Sequence, residues 1–235
     1  MSQIEKNLSA VKQEILAACS RVGRDPATVD LIAVSKTFPV ALIHDAVDAG
    51  HRHFGESKLQ EAEPKINTLP NSIHWHFIGG VQRNKVRKLL QNFEIIHAID
   101  SLKLAAYVDQ IATELGLFPK IFLQVNIGRE TTKGGFLEEI LRTEMENILS
   151  LKRLEILGLM CIPPAGPDPE SARKWFASLR EMRGALEEEF CVKLPALSMG
   201  MSGDFQIAIE EGSTHVRVGS AIFGKRAYRV DGELG

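Results

Sequence analysis

The sequence predicts an α/β protein folded as a single TIM-type (β/α)8 barrel with an extra N-terminal helix, and three observations carry that expectation. Short β-branched runs alternate with helical patterns along the chain. Eight such runs are present, the number that closes a parallel sheet into a barrel through right-handed crossovers. The length of 235 residues suits such a barrel, which takes roughly 200 to 250 residues as one domain. The runner-up architecture is an open doubly wound sheet. One domain over residues 1–235 is expected.

The opening segment places Ile4, Leu8, Val11, Ile15 and Cys19 at steps of three and four, one apolar face of a helix that runs to about Gly23. The strand candidates follow at 31–35, 53–54, 74–78, 95–99, 121–127, 155–161, 196–199 and 215–218, the second and seventh being the weakest signals because each is short and could be absorbed into a neighbouring loop. Helical patterns fall between them, including 39–49, 84–92, 103–114, 137–149 and 169–190. The segment Pro163-Pro164-Ala165-Gly166-Pro167-Asp168-Pro169 cannot be regular structure and reads as the loop after the sixth strand.

Composition removes several function classes. With 28 basic and 30 acidic residues, the formal charge of −2 gives no general attraction to nucleic acid or membrane. The basic stretch Arg83-Asn84-Lys85-Val86-Arg87-Lys88 therefore reads as a solvated helix face. No run approaches the roughly 18 apolar residues of a membrane span, and the N-terminus lacks the apolar core of a signal peptide. A cytoplasmic location is expected. Cys19, Cys161 and Cys191 form no paired or metal-type spacing and read as reduced thiols. His74 and His76 would face one side of a strand, but no third ligand at suitable spacing accompanies them, so they read as packing or hydrogen-bonding residues.

Three features point to chemistry. Lys36 follows the apolar run Leu31-Ile32-Ala33-Val34, which puts its amine at the C-terminal mouth of the barrel, where this fold keeps its active sites. Desolvation there exposes the lone pair that an imine with an aldehyde requires; a solvated lysine opening a loop is the alternative from position alone. Gly200-Met201-Ser202-Gly203-Asp204 and Gly219-Ser220 follow the last two strands, the usual phosphate site of the fold, where small residues and a helix N-terminus let backbone N–H groups approach an anion. Arg217 stands in an apolar strand and needs a partner. A pyridine nitrogen is one candidate, and a buried carboxylate such as Glu210 or Glu211 is the structural alternative.

Together with Ala33-Val34-Ser35-Lys36, the motifs Phe54-Gly55-Glu56, His76-Phe77-Ile78-Gly79 with Gln82 and Asn84-Lys85, Met199-Gly200-Met201-Ser202-Gly203-Asp204, and the block from Val216 to Arg226 occur in an order that resembles the pyridoxal phosphate homeostasis protein family. The resemblance runs from about Ile4 to Arg226. It implies a single-domain relative of the alanine racemase barrel that binds pyridoxal 5′-phosphate as a Schiff base on Lys36. Arg217 would stand beside the pyridine nitrogen and Ser202, Gly219 and Ser220 around the phosphate, with Met199, His76 and Ser57 as further cofactor contacts. The family shows Asn then Tyr after Phe54-Gly55-Glu56, where this chain has Ser57 and Lys58.

The implied role is intracellular vitamin B6 homeostasis without established catalysis; PLP-dependent apoenzymes are the implied partners, and a monomer the implied state. A racemase needs two acid/base groups on opposite faces of the ring, and Lys36 supplies one. The tyrosines Tyr107 and Tyr228 are not in a matching position, and only residues 225–235 follow the last strand and its turn, so no second domain is expected to bring another. An arginine at the pyridine nitrogen also weakens the ring as an electron sink. A weak amino-acid racemase or another Schiff-base barrel enzyme is the alternative.

Overall fold

The computed structural model describes residues 1–224; Lys225 and Arg226 of the last motif, and Tyr228, lie outside the described residues. The chain begins with α1 (Gln3–Arg21) and then alternates: β1 (Asp30–Val34), α2 (Val40–Asp48), β2 (His53–Glu56), α3 (Leu59–Thr68), β3 (His74–Phe77), α4 (Val86–Asn92), β4 (Ile95–Ile99) and α5 (Leu102–Leu115). It continues with β5 (Lys120–Val125), α6 (Glu138–Leu149), β6 (Glu155–Cys161), α7 (Arg173–Glu189), β7 (Ala196–Met201), α8 (Phe205–Glu210), β8 (His215–Val218) and α9 (Ser220–Phe223).

All neighbouring strands are parallel, and β1 pairs with β8 through Leu31 opposite Val216 and Ile32 opposite Arg217, which closes the barrel and removes the open-sheet alternative. All eight expected strands form. The second is longer than its apolar signal because Gly55 and Glu56 continue the ladder opposite Val34 and Phe77. The fifth stops at Val125 because Asn126 leaves the sheet, its side-chain amide donating to the carbonyls of Glu130 and Lys133.

Helix α1 starts where Ser2 accepts the Glu5 amide at 3.2 Å, and it buries Ile4, Leu8, Val11, Ile15 and Cys19 against α2, α8 and α9. At about 1.5–3 kcal/mol for each large aliphatic side chain buried, that stripe accounts for an added helix on a complete barrel. The main apolar core lies between strands and helices, and a smaller cluster of Ile95, Ala98, Phe122, Met160 and Ala196 packs separately from it. The His97 ring stacks on Phe122 with centroids 4.6 Å apart, so imidazoles and apolar side chains share the barrel interior. The basic stretch at 83–88 is a paired surface: Arg87 meets Glu114, Lys88 meets Glu63, and Arg83 lies over the Tyr107 ring.

Candidate functional site

A cavity of about 620 Å³ opens where β1, β7 and β8 end, lined by Lys36, Arg217, Ser202, Gly219 and Ser220 together with Val34, Phe38, Ile78, Ile162 and Met201. Its size lies within the roughly 300–1,000 Å³ of small-molecule sites. The five polar positions expected at the mouth are thus brought together. Three other expected contacts stand apart. Ser57 lines a separate cleft with Lys58, Gln82 and Lys85, while Met199 and His76 are buried and do not line the cavity.

Lys36 is half-buried in a four-residue turn closed by the Phe38 amide donating to the Ser35 carbonyl at 3.1 Å. The next residue, Thr37, has φ 71°, a left-handed conformation that a β-branched residue rarely adopts. Helix α3 holds that strain in place. Glu61 accepts the Thr37 amide, and Lys65 donates to the Ser35 carbonyl at 2.9 Å, to Glu61 at 2.8 Å and to Glu56 at 2.8 Å. Ser35 also donates to Glu56 at 2.7 Å. Burial pushes the Glu56 carboxyl upward, while the hydrogen bonds from Lys65 and Ser35 pull the other way. Glu61 and Lys65 were not singled out from the sequence, where their only local signal is a pair at helical spacing, and Glu56 entered only as part of the Phe54-Gly55-Glu56 motif, with no role given to it.

On the opposite wall, the Met201 amide donates to Asp204 at 2.6 Å and closes the loop after β7. Gly200 sits at φ 92°, and a Cβ there would come within 2.6 Å of the Ala208 side chain, so only glycine lets α8 pack beneath this loop. Ser202 then accepts the Gly219 amide at 3.0 Å, which ties the loops after β7 and β8 together. A Cβ on Gly219 would lie 3.3 Å from the Val34 carbonyl, so the backbone passes close to the end of β1.

Arg217 is 5% exposed and forms the cationic floor of the cavity. Its Nη1 donates to Ser198 Oγ at 2.6 Å and its Nη2 to the Cys161 carbonyl at 2.9 Å. The carboxylates of Glu210 and Glu211, offered by the sequence as its partners, instead bind Arg21, Arg173 and Arg180 on the outside of the barrel. Burial lowers the Arg217 pKa, countered by Cys161 and Asp204, and pushes the Cys161 thiol up to about 12. Among the described residues no group of three or more His, Cys, Asp and Glu converges as a metal site.

A wall of small residues, an amine at the mouth of β1 and a buried guanidinium on β8, set on a closed parallel barrel, place the chain in the alanine racemase-type class, and residues 6–227 match the family described as Alanine racemase, N-terminal domain. Within that class, the chain belongs to the pyridoxal phosphate homeostasis protein family. It is 41% identical over 224 residues to the Pyridoxal phosphate homeostasis protein of Aquifex aeolicus, covering 95% of this chain and 98% of that one. The structure of PipY from Synechococcus elongatus with PLP bound is similar at TM-score 0.83 and 38% identity, covering 94% of this chain and all of that one. Alanine racemase from Bartonella henselae shares the fold at TM-score 0.74 and 17% identity, and the match spans 59% of its length.

Proposed function

We propose that this protein carries pyridoxal 5′-phosphate as a Schiff base on Lys36 and takes part in intracellular PLP homeostasis without turning over amino acids. The observation that carries the reading is the convergence of Lys36, Arg217, Ser202, Gly219 and Ser220 on one cavity, in a chain whose relative bears the homeostasis name and whose structural neighbour holds PLP. The residues fit that group. Ser202, Gly219 and Ser220 form a concave, side-chain-poor wall suited to a phosphate, Arg217 suits an aromatic ring nitrogen as acceptor, and Lys36 supplies an amine.

When bound, the cofactor supplies an aldehyde and a ring able to delocalise charge. The strained turn at Thr37 aims Lys36 into the cavity. Arg217 is a permanent donor, so it would hold the ring nitrogen of the bound cofactor unprotonated and would discourage charge from accumulating on the ring. Among the described residues lining the cavity, Lys36 and Arg217 are the ionisable side chains. An arginine does not give up protons near neutral pH, so a second acid/base group for inversion at carbon is absent from that lining. In this reading the protein holds the cofactor as a monomer in the cytoplasm and hands it on to PLP-dependent apoenzymes. A visible absorption spectrum of purified protein mixed with PLP tests the binding, and a chain that leaves the spectrum of free PLP unchanged contradicts it.

A further inference from the structure

A polar thread crosses the barrel interior beneath the cavity. His53 opens β2 at the N-terminal rim, and its Nδ1 lies 3.1 Å from Nε2 of His76 on β3. His76 Nδ1 lies 3.0 Å from Nε2 of His97 on β4, and His97 Nδ1 lies 2.8 Å from Ser198 Oγ on β7. Arg217 donates to that same oxygen at 2.6 Å. Hydrogen bonds therefore run from one end of the barrel to the guanidinium that lines the cavity at the other. His76, His97 and Ser198 are buried, and His53 is half-buried.

Donor identity gives the thread a direction. A guanidinium has donors only, so Ser198 Oγ accepts from Arg217 and its single proton goes to His97 Nδ1. A neutral imidazole has one donor nitrogen and one acceptor. His97 then carries its proton on Nε2 and donates to His76 Nδ1, and by the same rule His76 donates from Nε2 to His53 Nδ1. The opposite polarity would bring two N–H donors onto the Ser198 oxygen beside a cation, and the hydroxyl proton would need another acceptor. A charged ring would place a donor against a donor. Burial disfavours that charge as well, pushing His76 and His97 well below the usual histidine range and lowering His53. Ring packing fixes the planes: His97 stacks on Phe122, and His53 stacks on His74 at 4.7 Å.

We propose that His53, His76, His97 and Ser198 form a one-directional hydrogen-bond relay of Nε2–H imidazoles that positions the Arg217 guanidinium against the ligand ring. They are positioning residues, because they act through Arg217. The relay itself stands on the geometry above, and its effect on a ligand rests on the function proposed for the cavity.

The full-length chain with ¹⁵N-labelled histidine, studied by NMR without cofactor, reads each tautomer directly. The expected pattern is a neutral Nε2–H ring at all three positions, with the His97 Nδ1 resonance moving in Ser198→Ala as its donor is removed. An Nδ1–H tautomer or a charged ring at His76 or His97 would overturn the relay. In a second arm, PLP is titrated into wild-type, Ser198→Ala and Ser198→Thr proteins. The alanine variant should bind about tenfold more weakly, the size of one hydrogen bond to a charged group, with a moved visible band, and threonine should recover both. Unchanged affinity and band in Ser198→Ala would overturn the link to Arg217. A wild-type chain that takes up no PLP would instead contradict the proposed function, while the tautomers still decide the relay.

Discussion

Ser202 and Gly219 are joined across two loops by the Gly219 amide donating to the serine hydroxyl oxygen at 3.0 Å. That bond holds the small-residue wall of the cavity in one shape before any ligand arrives, so the phosphate should dominate affinity. Charge-assisted hydrogen bonds contribute roughly 1.5–3 kcal/mol each. Pyridoxal without its phosphate is expected to bind at least a hundredfold more weakly than PLP by fluorescence titration. Equal affinities would sink the assignment, as would a Ser202→Ala, Ser220→Ala double variant that binds PLP normally.

Glu56 and Lys65 form a buried ion pair at 2.8 Å behind the Lys36 turn. Removing one partner leaves an uncompensated charge, so Lys65→Met should cost about 3–5 kcal/mol of stability in urea unfolding. Adding Glu56→Gln should recover most of it. Because burial raises the Glu56 carboxyl, the folded single variant binds a proton more readily than the unfolded chain, and mild acid should partly rescue it. A double variant no more stable than the single one would contradict the pairing.

Buried histidines set the acid limit of stability. His51 and His215 are lowered from 6.5 to about 4 by burial. The unfolded chain therefore binds more protons between those values, and stability present above about pH 6.5 is lost as pH falls toward about 4. Each group accounts for up to about 3 kcal/mol at 1.36 kcal/mol per unit, and His76 and His97 act in the same sense. Glu56 and Asp204, both raised by burial, oppose them and are removed from the comparison by a Glu56→Gln, Asp204→Asn double variant. In that variant the urea midpoint should drop between about pH 7 and about pH 5; a midpoint that holds or rises would contradict the account.

The barrel was legible because strand signals are local: β-branched runs such as Ile95–Ile99 and Ile121–Val125 need no partner to be recognised. Helix α3 gave a weaker signal because Pro64 lies inside it, and α8 and α9 are too short for a periodic pattern. At the site, Lys36, Ser202, Arg217, Gly219 and Ser220 were legible because chain order and strand ends place them at one mouth. The partners of Arg217 were not. Ser198 and the Cys161 carbonyl come from β7 and β6, and register across a barrel is set by closure, which no single segment encodes. Likewise, alternation puts His74 and His76 on one face but does not reveal that His76 meets His53 and His97.

The absence of a second acid/base group among the described cavity residues predicts no inversion of amino acids. PLP-loaded protein incubated with L-alanine in heavy water should yield no D-alanine by NMR and chiral chromatography. D-alanine formation at a rate proportional to protein would establish the racemase alternative. Cα deuterium exchange with retention would show that Lys36 acts as a base despite Arg217.

Borohydride reduction followed by peptide mass mapping tests most directly whether Lys36 holds the cofactor. Reduction of the PLP-loaded protein should leave one covalent pyridoxyl group on the peptide containing Lys36, and Lys36→Ala should abolish both the label and the visible band. A label on another lysine of the wild-type chain, or none, would contradict the account.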